Sequence, residues 1–420
     1  MCHKDCSSSL CPFDICRHCK ELGEAVTLSL ELTQDEGRYI TFANSTQCIA
    51  NQKDYGCHVC NKTNCYSASR SCTGLEALWH EQGDAHLAVC NGATIHELLG
   101  YNLDNSPDSM LPARGLNNLG NTCYLNALLN SLSAVPLVVA WATQHKESER
   151  CRDYCHPHCP LCCLAADFNT IFSSGLPFNP RLAVHRAHWS NNRFFNFDQQ
   201  DVHEAFATLF VACNAIDESF SERLVHVQSR QYNSNVLLTT PGNVIFGGLQ
   251  SSILHCQNCR RYSRKLEPFT NLNLPLSSDN LSGLFHNYLQ WELCEGHTRC
   301  CNCNTAGYMQ KCIDIKLENL PRVLFITLKR FTYDPSTQSM CKITDRVHFP
   351  LLWDANVGAE YHLKAVIVHK GKANNQGHYI AYCCTSIGAW YVFDDHNDPC
   401  LVDVNTVLTS QAYCLLYCLK

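Results

Sequence analysis

From Leu111 onward the chain carries long apolar segments whose spacing predicts helices first and strands later. In TCYLNALLNSLSAVP, Leu125, Leu128, Leu129 and Leu132 recur at the three- and four-residue spacing of one helical face, and Asn121 or Thr122 is placed to cap it. VHEAFATLFVACNAI, 202–216, predicts a second helix. The later segments VLFITLKRF, HLKAVIVHK, HYIAYCC, WYVFDD and AYCLLYCL are rich in β-branched and aromatic residues and are parted by turn-rich stretches, which predicts strands. That order implies an α+β domain over 113–420. The first 110 residues lack long apolar periods and close on the polar NLDNSPDSM, so they read as a small module over 1–105 and a linker at 106–112.

A composition of 45% hydrophobic and 17% charged positions in 420 residues excludes disorder throughout. No run of about eighteen apolar residues occurs, and the first twenty positions carry cysteines where a signal peptide needs an apolar core, so neither membrane insertion nor secretion is expected. A formal net charge of −6 argues against a wide basic surface, and no direct nucleic-acid binding is expected.

Cysteine usage changes the picture. There are 31, with 11 before residue 111, and C-x2-C recurs at 16–19, 57–60, 159–162, 256–259 and 300–303. That knuckle lets two thiolates reach one tetrahedral ion, whereas disulfide scaffolds rarely space their cysteines so. With 21 histidines as further ligands, the pattern implies a reducing compartment and several structural zinc ions, which would also hold together a coreless N-terminal module.

One cysteine stands apart. Cys123 opens the first predicted helix in GLNNLGNTCYLN, where unpaired N–H groups and the positive end of the helix dipole favour a thiolate; a small buried residue at a helix start is the competing reading. HYIAYCC and WYVFDD, joined by TSIGA, predict a hairpin; a turn centred near Ser386 sets His378 opposite Asp394, a base beside the carboxylate that would orient it. Gly377 would let a substrate backbone approach closely.

GLNNLGNTCYLNALLNSL, DQQDVHEAF (198–206), LPRVLFITLKRF (320–331), and GHYIAY with WYVFDD together resemble, in order, the cysteine box, Gln-Gln-Asp segment, LKRF strand and histidine box of the ubiquitin-specific proteases. The resemblance implies a papain-like fold of thumb, palm and zinc-bearing fingers, the fingers over about 245–310. It implies Cys123 as nucleophile, His378 as general base, Asp394 as its orienting partner, Asn118 as an oxyanion-hole amide and Asp395 in a supporting polar role. Gln200, Asp201, Tyr379 and Gly377 fall at positions the family uses along the channel for the ubiquitin tail. The implied activity is that of a thiol hydrolase, a deubiquitinase.

The metal sites follow the same resemblance. Cys256, Cys259, Cys300 and Cys303 match the four-thiolate zinc of the fingers, with Cys301 left free. Cys151, Cys159 and Cys162 match an extra site in the deubiquitinase subunit of the SAGA transcriptional coactivator, with His145 as fourth ligand and Cys155 or His158 as alternatives. That subfamily begins with a ubiquitin-protease type zinc finger. Cys57, Cys60, His80 and His86 match one of its sites. Cys16, Cys19 and Cys65 match another, with Cys72 standing in for the histidine that Glu76 replaces. The resemblance implies ubiquitin, a ubiquitinated substrate such as histone and adaptor subunits as partners, and nuclear chromatin, alongside the cytoplasm, as the place of action. A general deubiquitinase outside any coactivator and a catalytically silent ubiquitin-binding scaffold are the alternatives.

Overall fold

The computed structural model describes residues 114–419 apart from 149–150, 152–155, 196–197, 222–239, 295–297, 307–308, 317–318, 335–337, 356–358 and 374–375, together with the backbone of two earlier strands. Those strands, β1 (Leu75–Trp79) and β2 (His86–Cys90), pair antiparallel with Trp79 opposite His86. Otherwise the module at 1–105 and the linker at 106–112 lie outside the described residues, and with them Cys16, Cys19, Cys57, Cys60, Cys65, Cys72 and His80; of His86 only the backbone is described.

The helices are α1 (Cys123–Ser133), α2 (Pro136–Glu147), α3 (Pro160–Ile171), α4 (Arg181–Val184), α5 (Arg186–Trp189), α6 (Val202–Ser221), α7 (Pro241–Phe246), α8 (Leu281–Leu289) and α9 (Val404–Leu408). Proline begins both α2 and α3, where its missing N–H costs nothing. The single apolar face expected of α1 is an understatement, because every residue of that helix is buried. Its polar side chains find partners inside: Ser131 Oγ donates to the Ala127 carbonyl at 2.7 Å and Ser133 Oγ to that of Asn130 at 2.8 Å. Asn121 sits at φ 53° and Thr122 makes no capping bond; instead Asn118 Oδ1 accepts the Thr122 N–H at 3.0 Å. Among the described residues no single helix is long and apolar enough to cross a membrane.

Strands β3 (Gly248–Cys256), β4 (Tyr262–Phe269), β5 (Leu272–Pro275), β6 (Glu292–Leu293), β7 (Met309–Asp314), β8 (Val323–Lys329), β9 (Phe331–Asp334), β10 (Ser339–Lys342), β11 (Leu352–Asp354), β12 (Glu360–Ala373), β13 (Gln376–Cys384), β14 (Trp390–Phe393), β15 (Cys400–Val402) and β16 (Ala412–Leu419) follow. The main sheet runs β15-β14-β13-β12-β16-β8-β5 with β11 beside β12, antiparallel except where β5 meets β8. Alternate residues explain why its central strands read as unbroken apolar runs. Leu324, Ile326 and Leu328 enter one core with Val366, Ile380, Leu415 and Trp353, while Phe325 points the other way and stacks on Phe206 of α6 at 3.9 Å. Arg330, of the LKRF motif, is buried at the end of β8 and donates to the carbonyls of Ala412, Ile343 and Asp345, tying β8 to its neighbours. A smaller four-stranded sheet, β4-β3-β7-β6, lies apart from the main sheet in the hydrogen-bonding pattern.

The hairpin of β13 and β14 departs from its expected register by two. Ala381 faces Phe393 and Cys384 faces Trp390, so 378 lies level with 396 rather than 394. A shift of two keeps every side chain on its own face, and the ladder ends at Phe393, which frees Asp394 to fold back. The next residue, Asp395, turns the chain with φ 49°, a left-handed conformation that aspartate tolerates better than most residues.

Candidate active site

Three elements bring their ends together. Cys123 is the first residue of α1 and 2% exposed. His378 lies near the start of β13, and its Nε2 is 2.6 Å from Asp394 Oδ1 just beyond β14. Interaction with Cys123 is the largest cause holding the imidazole at a pKa of about 9; burial opposes it and Asp394 reinforces it. Since Nε2 belongs to Asp394, Nδ1 is the nitrogen left for the thiol. Cys123, His378 and Asp394 thus stand in the order a thiol nucleophile, a base and an orienting carboxylate would need.

The loop before α1 is laced to the same turn. Asn118 Nδ2 donates to Asp395 Oδ2 at 2.8 Å and Asn126 Nδ2 donates to Asp395 Oδ1 at 2.9 Å, while the Leu116 N–H reaches the Asp395 carbonyl at 2.7 Å. Asn118 Oδ1 takes the N–H groups of Gly120 and Thr122. The Asn118 side chain is thus fixed at both ends, its amide donating one proton to Asp395.

The four residues expected along a tail channel each have contacts within the chain or partial burial. Asp201 belongs to the start of α6, accepting the His203 N–H at 2.8 Å and the hydroxyl of Tyr413. Tyr379 is 1% exposed and packs on His369 with ring centroids 4.6 Å apart; burial holds its phenol firmly protonated. Gly377 answers first to its own protein, because a Cβ there would lie 2.5 Å from His369 Nε2 and 2.6 Å from the Lys370 carbonyl. Gln200 is half-buried, whereas its neighbour Gln199 reaches the reacting thiol. Gln199 Nε2 donates to Cys123 Sγ at 3.3 Å and to the Gly377 carbonyl at 2.8 Å, bridging the two sides of the site. The doubled glutamine was the only sequence signal, and it does not say which of the pair turns inward.

Two of the expected metal groups assemble. In the fingers, Cys256 and Cys303 sulfurs are 3.7 Å apart and those of Cys259 and Cys300 3.6 Å. A tetrahedral zinc with 2.3 Å bonds needs sulfurs about 3.8 Å apart, so this set fits. The Thr305 hydroxyl and N–H pull the Cys303 thiol down to about 5, and Cys301 is exposed, outside the group. In the second group His145 Nε2 is 3.5 Å from Cys159 Sγ, the value a shared zinc requires at about 3.5 Å, and Cys162 joins them. Cys151 Sγ lies 3.1 Å from Cys162 Sγ. A hydrogen bond from Cys162 is the main cause lowering Cys159 to about 4, against burial and with help from His145. His145 rather than His158 stands with Cys159 and Cys162, while Cys151 reaches Cys162 but falls outside that three-residue group, and Cys155 lies outside the described residues.

The family profile described as ubiquitin carboxyl-terminal hydrolase matches residues 114–417. Ubiquitin carboxyl-terminal hydrolase 23 of Arabidopsis thaliana is 29% identical over 72% of this chain and 35% of its own length. Ubiquitin carboxyl-terminal hydrolase 17-like protein B of Mus musculus is 31% identical over 73% of this chain and 64% of its own, so the chain spans only part of these relatives. Among solved structures, a chain of the SAGA Ubp8/Sgf11/Sus1/Sgf73 DUB module bound to ubiquitin aldehyde superposes with a TM-score of 0.61 at 19% identity, covering 97% of this chain and 99% of that one. The same module bound to monoubiquitin gives 0.61 at 20% identity, over 97% and 99%. At these identities the likeness is one of fold.

Proposed function

The chain belongs to the ubiquitin carboxyl-terminal hydrolase family, and we propose that it is a cysteine-type deubiquitinase, cleaving the isopeptide bond between the C-terminal glycine of ubiquitin and a lysine side chain. The observation that carries this reading is the line of Cys123, His378 and Asp394. Cys123 Sγ attacks the glycine carbonyl, the His378 imidazolium hands its proton to the departing lysine amine, and water then releases the acyl group with His378 as base. Asp394 fixes the ring; the Asn118 amide and N–H groups at the start of α1 face the charge that develops on oxygen. A zinc in the fingers would be held by Cys256, Cys259, Cys300 and Cys303 and would fix their shape, taking no part in the chemistry.

The ring's pKa of about 9 gives the test its sign. Below that value His378 keeps the proton the leaving amine needs; above it the acid is lost. Turnover of a lysine-linked ubiquitin conjugate should therefore fall as pH rises through about 9, and Asp394→Asn, which removes one cause of the raised pKa, should move that limb to lower pH and slow the reaction. A profile flat through pH 9 in the wild type, or unmoved in the variant, would remove His378 from this role.

The reading extends to the deubiquitinase of a SAGA-like coactivator, acting in the nucleus on ubiquitinated histone, with a zinc-finger module before residue 106 that docks adaptor subunits. Its support is the His145, Cys159 and Cys162 group with Cys151 beside Cys162, together with a fold shared with a protein solved beside Sgf11, Sus1 and Sgf73. Purification of the tagged full chain from its own cells should recover adaptor proteins and chromatin components. An active enzyme that comes out alone would instead mark a general deubiquitinase, and a recovered complex without turnover would mark a scaffold.

A further inference from the structure

A second ligand cluster stands one residue away from the Cys159 group and shares no atom with it. His158 precedes α3, His185 joins α4 to α5 and His188 lies within α5. The Nδ1 atoms of His158 and His185 are 2.9 Å apart, and the His188 ring stacks on that of His158 with centroids 3.9 Å apart and planes at 22°. One ring nitrogen from each of the three falls within 4.8 Å of the others. A hydrogen bond between two neutral imidazoles would account for His158 and His185, but it gives no reason for the third ring. Nor does apolar packing, since His158 and His185 are half-buried and His188 is exposed.

We propose that His158, His185 and His188 form a separate zinc site, three imidazole nitrogens on one ion with the fourth position open to water. Tetrahedral zinc with nitrogens at 2.0–2.1 Å needs them about 3.3 Å apart, a spacing between the 2.9 Å of the His158 and His185 Nδ1 atoms and the 4.8 Å that contains all three. An all-imidazole set suits zinc and its late first-row neighbours and is poor for magnesium or calcium. The ion has a structural task here. On the buried side, the Asp167 carboxylate of α3 accepts the N–H groups of Arg181 and Leu182 at 2.8 and 2.9 Å, fastening α3 to α4. On the solvent side the ion would fasten the segment before α3 to the α4–α5 joint, closing the same corner from without.

The test uses the full-length protein with its thiolate sites loaded with zinc, dialysed, then titrated with Zn2+ and in parallel with Co2+. Wild type should bind one more ion per chain than His185→Ala/His188→Ala. The Co2+ it takes up should show d–d bands without a thiolate-to-cobalt charge-transfer band. His188→Ala alone should weaken this uptake by about a hundredfold or more, since even residues behind a ligand cost ~10–100-fold. His188→Cys should restore binding and bring the charge-transfer band with it. That gain does not depend on whether the double variant folds. Equal uptake by wild type and the folded double variant, a thiolate band in wild type, or no new band with His188→Cys would each overturn the proposal.

Discussion

Cys123→Ala should reduce cleavage of a ubiquitin conjugate by a factor on the order of 10⁶ while ubiquitin still binds, because the change removes one sulfur and leaves the gripping surface untouched. Cys123 is the first residue of a fully buried helix, and the loop before it is held by Asn118 and Asn126 on Asp395, contacts in which its own side chain has no part. The site should therefore survive without its nucleophile. A ubiquitin carrying a C-terminal electrophile makes the complementary measurement and should label Cys123 alone among the 31 cysteines. The buried thiols of Cys163, Cys383 and Cys414 are pushed up by desolvation and are inert. Cys159 and Cys303, held down at about 4 and about 5, are the competitors, and metal bound at their sites would keep them silent, with burial also covering Cys159. Turnover by the alanine variant close to wild type, or label on another cysteine of the zinc-loaded protein, would sink the assignment.

What the sequence disclosed follows from how local each signal is. Strand β16 is legible to its ends because a strand buried on both faces is apolar at every position. The His378–Asp394 contact was expected from a register wrong by two, and it exists because that error preserves the face and because Asp394 leaves the ladder. Contacts made across the fold were less accessible. Asn118 and Asp395 are 277 positions apart, and only the finished loop shows that the asparagine is braced by the second aspartate. Gln199 was passed over for Gln200 because the pair lies ahead of α6, where no periodicity tells inside from outside. The three-histidine cluster left only a weak sequence signal, the H-x2-H pair His185 and His188, since its third member His158 comes from a segment 27 positions earlier.

Loss of the fingers zinc should have the second-largest effect, and it should be local. The sheet β4-β3-β7-β6 has little core near its tip: Cys256, Cys300 and Met309 form the buried cluster there, and Tyr262, Trp291 and Leu293 are exposed. Structural zinc binding is worth about 10–16 kcal/mol in isolated finger peptides at neutral pH, far more than so small a cluster can supply by burial. Cys256→Ser with Cys259→Ser should therefore cost one zinc ion per chain and abolish amide protection toward the tip, between about 253 and 312. The main sheet, with its own core around Trp353, Leu324 and Leu415, should keep its protection. Ubiquitin affinity should drop by more than about tenfold, because an unfolded tip must be ordered again each time ubiquitin binds. Chelation of the wild type should reproduce the loss and added Zn2+ should reverse it, which separates the metal from any effect of the substitutions. If the serine variant keeps its zinc and its protection, the four sulfurs are not the ligands; if it loses zinc yet grips ubiquitin as before, the fingers owe their shape to something else.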